Sequence, residues 1–142
     1  MIKFMKDVEC MEMIRRNLYL NRIRPFIDQD LIKVLIGLRR SGKTILLSQI
    51  RDILLERGVA EENIIEINFE SRRFKKLEDA DTFYQYVTNR VEKANGKVYL
   101  FLDEIQHVTE WHSVIPSFRI DFDCDIYVTG SNSKLLSGEL AT

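Results

Sequence analysis

Two spacings of apolar residues alternate along this chain, and together they predict alternating strands and helices. Short apolar runs, rich in β-branched and aromatic residues, predict buried strands at residues 31–36, 64–69, 98–102 and 126–129. Between these runs, apolar residues recur every three or four positions, which predicts helices over residues 44–56, 80–94 and 110–118. Gly58 and Asn95-Gly96 follow two of the helices and are typical stop signals.

This alternation favours an α/β fold, because each helix carries the chain back so that consecutive strands run parallel. We therefore predict a three-layer sandwich with a parallel sheet between two layers of helices. A looser helical period over residues 8–20 and the interruption at Pro25 predict an N-terminal helix and connecting segment over residues 1–30. No repeat or linker divides the remainder, so residues 31–142 are expected to form a single domain.

Composition narrows the class of protein. Apolar residues make up 45% of the 142, charged residues 30%, and the net charge is -1, which is typical of a globular domain rather than of a polyelectrolyte. No apolar run reaches membrane-spanning length, and charges interrupt the N-terminus where a signal peptide would be apolar. We expect a cytoplasmic protein without membrane contact. Two distant cysteines indicate neither a disulfide framework nor a zinc site.

The first predicted strand is followed by the pattern G-x-x-x-x-G-K-T, known as the P-loop or Walker A motif. Glycines let backbone N–H groups point at phosphate oxygens, and the following helix adds its positive dipole. Lys43 would reach the β- and γ-phosphates, and the Thr44 hydroxyl would bind Mg²⁺. The motif predicts a P-loop NTPase fold that binds ATP or ADP with Mg²⁺ through Gly37, Leu38, Arg39, Arg40, Ser41, Gly42, Lys43 and Thr44. ATP is favoured over GTP because no guanine-reading Asn-Lys-x-Asp motif is present.

An acidic pair follows the third predicted strand, in the manner of a Walker B motif. Asp103 would hold the Mg²⁺ shell, and Glu104 would orient and deprotonate the water that attacks the γ-phosphate. Two surface acids at a strand end are the alternative, which the upstream P-loop disfavours. Ligands of parallel sheets bind at the carboxyl ends of the strands, so both motifs are expected at one edge.

A polar turn follows the fourth predicted strand. Asn132 is predicted to sense the γ-phosphate and orient water, with Ser131 as the alternative candidate. The same turn is also typical of an ordinary helix N-cap, and the two interpretations carry equal weight.

The segment from Asn21 to Thr44, with its double arginine, resembles a family of prokaryotic AAA-type ATPases. Asp103-Glu104-Ile105-Gln106, Trp111 and Thr129-Gly130-Ser131 are also similar to that family, so the resemblance extends from Asn21 to the end. It implies ATP hydrolysis, and it implies that the chain is the N-terminal part of a longer protein whose fifth strand, helical lid and arginine finger lie beyond residue 142. An arginine finger contributes about 10³ to 10⁵ in rate, so hydrolysis by these residues alone is expected to be slow or absent.

Two other functions compete with an ATPase. A non-hydrolysing nucleotide-binding remnant could contact protein or DNA through the basic cluster, defined as Arg72, Arg73, Lys75 and Lys76. A solvated face is the favoured interpretation of that cluster, because the chain as a whole is not basic. A small-molecule kinase is disfavoured because the acidic pair suits water activation. The sheet edge left by an absent fifth strand favours a homo-oligomer, and the alternating Asp121, Asp123 and Asp125 are interpreted as a polar lead-in to the fourth strand.

Overall fold

The computed structural model describes residues 20–36 and 40–131 of the chain. Strands and helices alternate through them as β1 (Ile32–Leu35), α1 (Arg40–Glu56), β2 (Ile64–Asn68), α2 (Ala80–Lys93), β3 (Val98–Asp103), α3 (Trp111–Asp121) and β4 (Cys124–Thr129). Short 3₁₀ helices complete the connections at Arg24–Phe26, Glu61–Asn63, Arg72–Glu78 and Ile105–His107. The helix predicted over residues 8–20 lies outside the described residues except for Leu20, which is helical.

The four strands form one parallel sheet in the order β1-β4-β3-β2. Leu35 pairs with Thr129 at one end of this order, and Asn68 pairs with Asp103 at the other. The carboxyl ends of all four strands therefore lie along one edge of the sheet. The predicted α/β fold with a parallel sheet is confirmed.

Helices cover both faces of the sheet and bury two apolar clusters. On one face, Ile50 and Leu54 of α1 share a cluster with Phe101 and Tyr127 of the sheet. The other face packs against α2 and α3, whose Phe83 and Phe118 rings meet edge to face with centroids 5.2 Å apart. All six residues of β3 are buried, as expected for an inner strand of a sheet that is covered on both faces.

The observed boundaries differ from the predicted ones for local reasons. Helix α1 begins at Arg40, four residues before the prediction, because apolar spacing reports a helix only where a face is buried. Helix α3 ends at Asp121, beyond the predicted end, and it contains Pro116. Gly58 and Gly96 adopt φ of 95° and 89°, so both predicted stop signals stand at left-handed positions that favour glycine.

Asp125 corrects the interpretation of the alternating acids as a polar lead-in. It is the second residue of β4, it is 1% exposed, and it forms an ion pair with Lys33 of β1, 92 residues away. Its other carboxylate oxygen accepts hydrogen bonds from the Tyr127 hydroxyl and from the Asp28 backbone N–H. The acid is tolerated inside because a distant lysine compensates its charge, which the local sequence does not reveal.

Within residues 20–36 and 40–131, none of the helices combines the length and the apolar character needed to cross a bilayer.

Candidate functional site

Four polar side chains from two distant segments meet at the carboxyl edge of the sheet. Lys43 and Thr44 lie near the start of α1, and Asp103 and Glu104 lie at the end of β3. Lys43 Nζ is 2.9 Å from Glu104 Oε1, and Thr44 Oγ1 donates to Asp103 Oδ2 at 3.0 Å. The structure therefore brings together the residues that the two sequence motifs single out.

Lys43 is 4% exposed, and its ammonium has partners directly after two strands. Besides Glu104 of the β3 end, it donates to the Gly130 carbonyl oxygen at 3.1 Å, directly after β4. A buried ammonium group requires such compensation, because transfer out of water is costly for an unpaired charge. The order β1-β4-β3 places the end of β4 between the ends of β1 and β3, so Lys43 contacts residues that follow both β4 and β3.

Glu104 is held in an uncommon backbone conformation. Its φ and ψ are 60° and 54°, in the left-handed region that non-glycine residues rarely occupy. Such a conformation costs on the order of 1–3 kcal/mol and persists only where the surroundings enforce it. Here the Glu104 N–H donates to Thr129 Oγ1 at 2.9 Å, and the residue is 6% exposed.

Thr129, the last residue of β4, links both acids. It is fully buried, and its hydroxyl donates to Asp103 Oδ1 while accepting from the Glu104 N–H. Sequence reasoning treated Thr129 only as the end of a strand and as part of a family-like turn. The available signal was a hydroxyl at the last position of a predicted buried strand.

Gln106 is a second residue that sequence reasoning did not single out for a role. It lies in the 3₁₀ helix Ile105–His107, and its Nε2 donates to Glu104 Oε2 at 2.6 Å. Its own Oε1 is buried and has no hydrogen-bond partner among the described residues. Gln106 lies two residues after Glu104 in the sequence, but this spacing does not by itself predict a contact between the two side chains.

Several predicted site residues cannot be located in the site. Gly37, Leu38, Arg39 and Asn132 lie outside the described residues. Arg40 and Ser41 lie in α1 without described side chains, and Gly42 is half-buried. Ser131 is half-buried directly after Gly130. The choice between Asn132 and Ser131 as phosphate sensor therefore stays a prediction.

An open cleft of about 350 Å³ adjoins Thr44 and Asp103. Ser48 and Arg51 of α1 line one wall, and Asn68 of β2 lines the opposite wall. Arg51 is engaged there by Glu61 at 3.1 Å and by Glu66 at 3.3 Å. The cleft gives solvent and ligands access to the threonine and the aspartate from the β2 side.

The strand order, with lysine and threonine after β1 facing two acids after β3, defines an α/β domain of the P-loop NTPase-like class. Comparison with known families places the chain within that class. Residues 29–142 match the family described as AAA domain, and the chain belongs to this family.

Two relatives are similar to most of the chain. A protein of Haemophilus influenzae, described as uncharacterized, is 46% identical over 130 residues, which cover 92% of this chain and 32% of the relative. The uncharacterized protein MJ1544 of Methanocaldococcus jannaschii is 34% identical over 145 residues, covering 96% of this chain and 31% of the relative. The chain thus spans about a third of the length of these relatives. No solved structure matches it.

Proposed function

We propose that the protein binds Mg-ATP between the start of α1 and the end of β3 and hydrolyses the γ-phosphate. The observation that carries this proposal is the pair of contacts across that gap, from Lys43 to Glu104 at 2.9 Å and from Thr44 to Asp103 at 3.0 Å. An ammonium and a hydroxyl facing two carboxylates are the groups that phosphoryl transfer from a metal-bound nucleotide requires.

Lys43 is the proposed phosphate ligand. Its ammonium is buried and directed towards the edge of the sheet, and its hydrogen-bond partners among the described residues, Glu104 Oε1 and the Gly130 carbonyl, are groups that a phosphate oxygen can replace. The start of α1 adds exposed N–H groups and positive dipole at the same place. Nucleotide binding therefore exchanges the Lys43 to Glu104 ion pair for an ion pair with phosphate.

Thr44 and Asp103 fit a magnesium ion. Mg²⁺ prefers hard oxygen ligands and keeps several waters, so a hydroxyl and one carboxylate suffice when phosphates complete the shell. Their oxygens lie 3.0 Å apart, and Thr129 fixes the other oxygen of Asp103. When bound, Mg²⁺ would be held by Thr44 and Asp103 and would neutralise the negative charge that develops on the phosphate.

Glu104 is the proposed general base. The attacking water forms a bond to the γ-phosphorus, the bond from this phosphorus to the bridging oxygen breaks, and ADP leaves with the electron pair. Glu104 accepts the proton of the water. Phosphate binding would draw the Lys43 ammonium away from Glu104 Oε1, and that oxygen could then accept the proton of the water.

We also propose, in outline, which nucleotide the whole protein uses and in what form it works. The AAA family is one of nucleotide-binding ATPase-type modules, and we propose ATP rather than GTP as the nucleotide and an oligomer as the working form. Hydrolysis by these residues alone is expected to be slow, since an arginine finger contributes about 10³ to 10⁵ in related reactions.

Calorimetric titration with Mg-ATP and Mg-ADP tests the proposal. Lys43→Ala should weaken binding by about 10-fold to 100-fold, because charge-assisted hydrogen bonds contribute about 1.5–3 kcal/mol. Lys97→Ala is the matched control, since Lys97 lies before β3 at the opposite edge and pairs with Asp28 at 3.1 Å. A folded wild type that binds neither nucleotide, or equal loss in both variants, would contradict the proposal.

A second candidate is a nucleotide-gated binding module without turnover. The four cations of the basic cluster are all exposed, and none forms an ion pair with another described residue. They lie in the 3₁₀ helix Arg72–Glu78, which follows the carboxyl end of β2 and so shares the edge of the proposed nucleotide site. Mg-ATP binding without hydrolysis, together with salt-sensitive DNA binding that is lost when the cluster is neutralised, would favour this function.

A further inference from the structure

The carboxylate of Glu104 has different kinds of partner on its two oxygens. Oε1 faces the charged Lys43 ammonium at 2.9 Å, whereas Oε2 accepts from the neutral Gln106 amide at 2.6 Å. A bound phosphate attracts the charged Lys43 ammonium away from Oε1. It attracts the uncharged Gln106 amide much less strongly. When a nucleotide binds, Oε1 is therefore expected to lose its contact with Lys43, whereas Oε2 keeps its contact with Gln106.

The orientation of the Gln106 amide is determined by Glu104. Turning the amide over would place its oxygen against Glu104 Oε2, and two acceptors at that distance repel each other. The observed orientation instead leaves Gln106 Oε1 buried without a partner among the described residues, which is unfavourable for stability. The Gln106 side chain therefore keeps its hydrogen bond to Glu104 although its own Oε1 is left without one among the described residues. This indicates that the contact with Glu104 determines its position.

The backbone around Gln106 is also fixed. Ile105 is fully buried and Val108 is 2% exposed, so the 3₁₀ helix that carries Gln106 is packed into the core on both sides of it. The Val108 N–H closes the turn on the Ile105 carbonyl at 3.0 Å. Gln106 thus extends from a rigid support rather than from a loose loop.

We propose that Gln106 is the positioning residue for Glu104. It holds Oε2 in place while Oε1 exchanges Lys43 for the attacking water, so that the carboxylate does not follow the lysine or turn away when phosphate binds. In this role Gln106 acts on the reaction only through its hydrogen bond to Glu104. The inference rests on the proposed function, and it identifies Gln106 as the residue that holds the proposed general base, Glu104, in position to accept a proton.

Turnover of Mg-ATP by the protein, with nucleotide affinity measured in parallel, tests the inference. Gln106→Leu should lower kcat by about 10-fold to 100-fold, as loss of an orienting partner or a misplacement of about 1 Å does elsewhere. Affinity for Mg-ADP should stay within about threefold, because Lys43 and Thr44 are unchanged. A Gln106→Leu enzyme with kcat within twofold of wild type would overturn the inference.

Gln49→Leu is the matched control. Gln49 lies in α1 and, like Gln106, has a buried side-chain oxygen without a hydrogen-bond partner in the described part of the chain, but it makes no described contact with Glu104. It should leave kcat within twofold. Gln106→Met, which better matches the glutamine in length, serves if the leucine variant melts early, and the same loss of kcat is expected from it.

Non-additivity separates positioning from a structural role. In a Glu104→Gln background, Gln106→Leu should cause no further loss of turnover, since there is no longer a general base to position. A further tenfold loss in that background would mean that Gln106 acts through general stability, and the inference would be wrong.

A readout without turnover separates this inference from the proposed function. The side-chain amide resonances of Gln106, assigned by their absence in Gln106→Leu, should differ between wild type and Glu104→Ala and should keep their wild-type positions when Mg-ADP is added. Movement to the Glu104→Ala positions on adding Mg-ADP would overturn the inference. Absence of nucleotide binding in wild type would instead contradict the proposed function, and binding without turnover would contradict only its hydrolytic part.

Discussion

Replacing Asp125 by asparagine should lower the free energy of unfolding by about 3 kcal/mol. Asp125 is 1% exposed, and Lys33, whose ammonium faces its carboxylate, is 4% exposed. Removing one partner of a buried ion pair typically costs about 3–5 kcal/mol, because the remaining charge is left uncompensated. Asparagine can still accept from the Tyr127 hydroxyl and the Asp28 N–H, so the lower end of that range applies.

A solvent-exposed ion pair in the same chain provides the control. Arg119 and Asp30 approach to 3.1 Å, but the aspartate side chain is 88% exposed. Asp30→Asn should therefore cost no more than about 1 kcal/mol, as exposed pairs do. The double replacement Lys33→Met with Asp125→Asn should recover part of the stability that Asp125→Asn loses, since it removes the uncompensated ammonium and keeps an acceptor for the Tyr127 hydroxyl and the Asp28 N–H.

Urea unfolding followed by circular dichroism measures these differences, with the slope on denaturant checked for constancy. Mg-ATP affinity should be unchanged in folded Asp125→Asn, because the pair lies near the amino ends of β1 and β4, away from Lys43. If Asp125→Asn costs no more than Asp30→Asn, the reasoning from burial and charge is refuted. A selective loss of nucleotide affinity would show that the two edges of the sheet are coupled.

Two further predictions concern Thr129 and Asp28. Thr129→Val should destabilise the fold by about 2 kcal/mol, because the buried Glu104 N–H and Asp103 Oδ1 each lose a partner. Thr129→Ser keeps the hydroxyl and should retain stability and turnover. Equal unfolding curves for the two variants would contradict the role of the hydroxyl in linking the two acids. Burial raises the pKa of Asp28, but hydrogen bonds from Tyr99 and Lys97 and the charges of Lys97 and Arg57 outweigh burial and leave this pKa below 3.8. A lowered folded-state pKa stabilises the fold above the unfolded-state value, and this contribution is lost as the pH falls through the folded-state pKa. Between pH 6 and pH 3, the free energy of unfolding measured with urea should therefore fall more steeply for wild type than for Asp28→Asn. Asparagine tolerates the φ of 68° at this position. Parallel curves would contradict the lowered pKa of Asp28.

Local pattern determined most of the elements and half of the proposed site. The spacing of apolar residues is a property of each segment, so it predicted the four strands and the three helices that separate them to within a few residues. Lys43 with Thr44, and Asp103 with Glu104, were also visible, because each pair lies within a few residues of a strand that ends at the functional edge.

Tertiary structure decided the features that depend on which strands are neighbours. The order β1-β4-β3-β2 places the end of β4 between the ends of β1 and β3. This order lets the Thr129 hydroxyl contact both acids and lets Lys43 donate to the Gly130 carbonyl. The pairing of Asp125 with Lys33 likewise joins residues 92 positions apart. Apolar periodicity reports whether a segment has a buried face, but it carries no information about which distant polar group will compensate a buried charge, since that depends on the packing of the whole sheet.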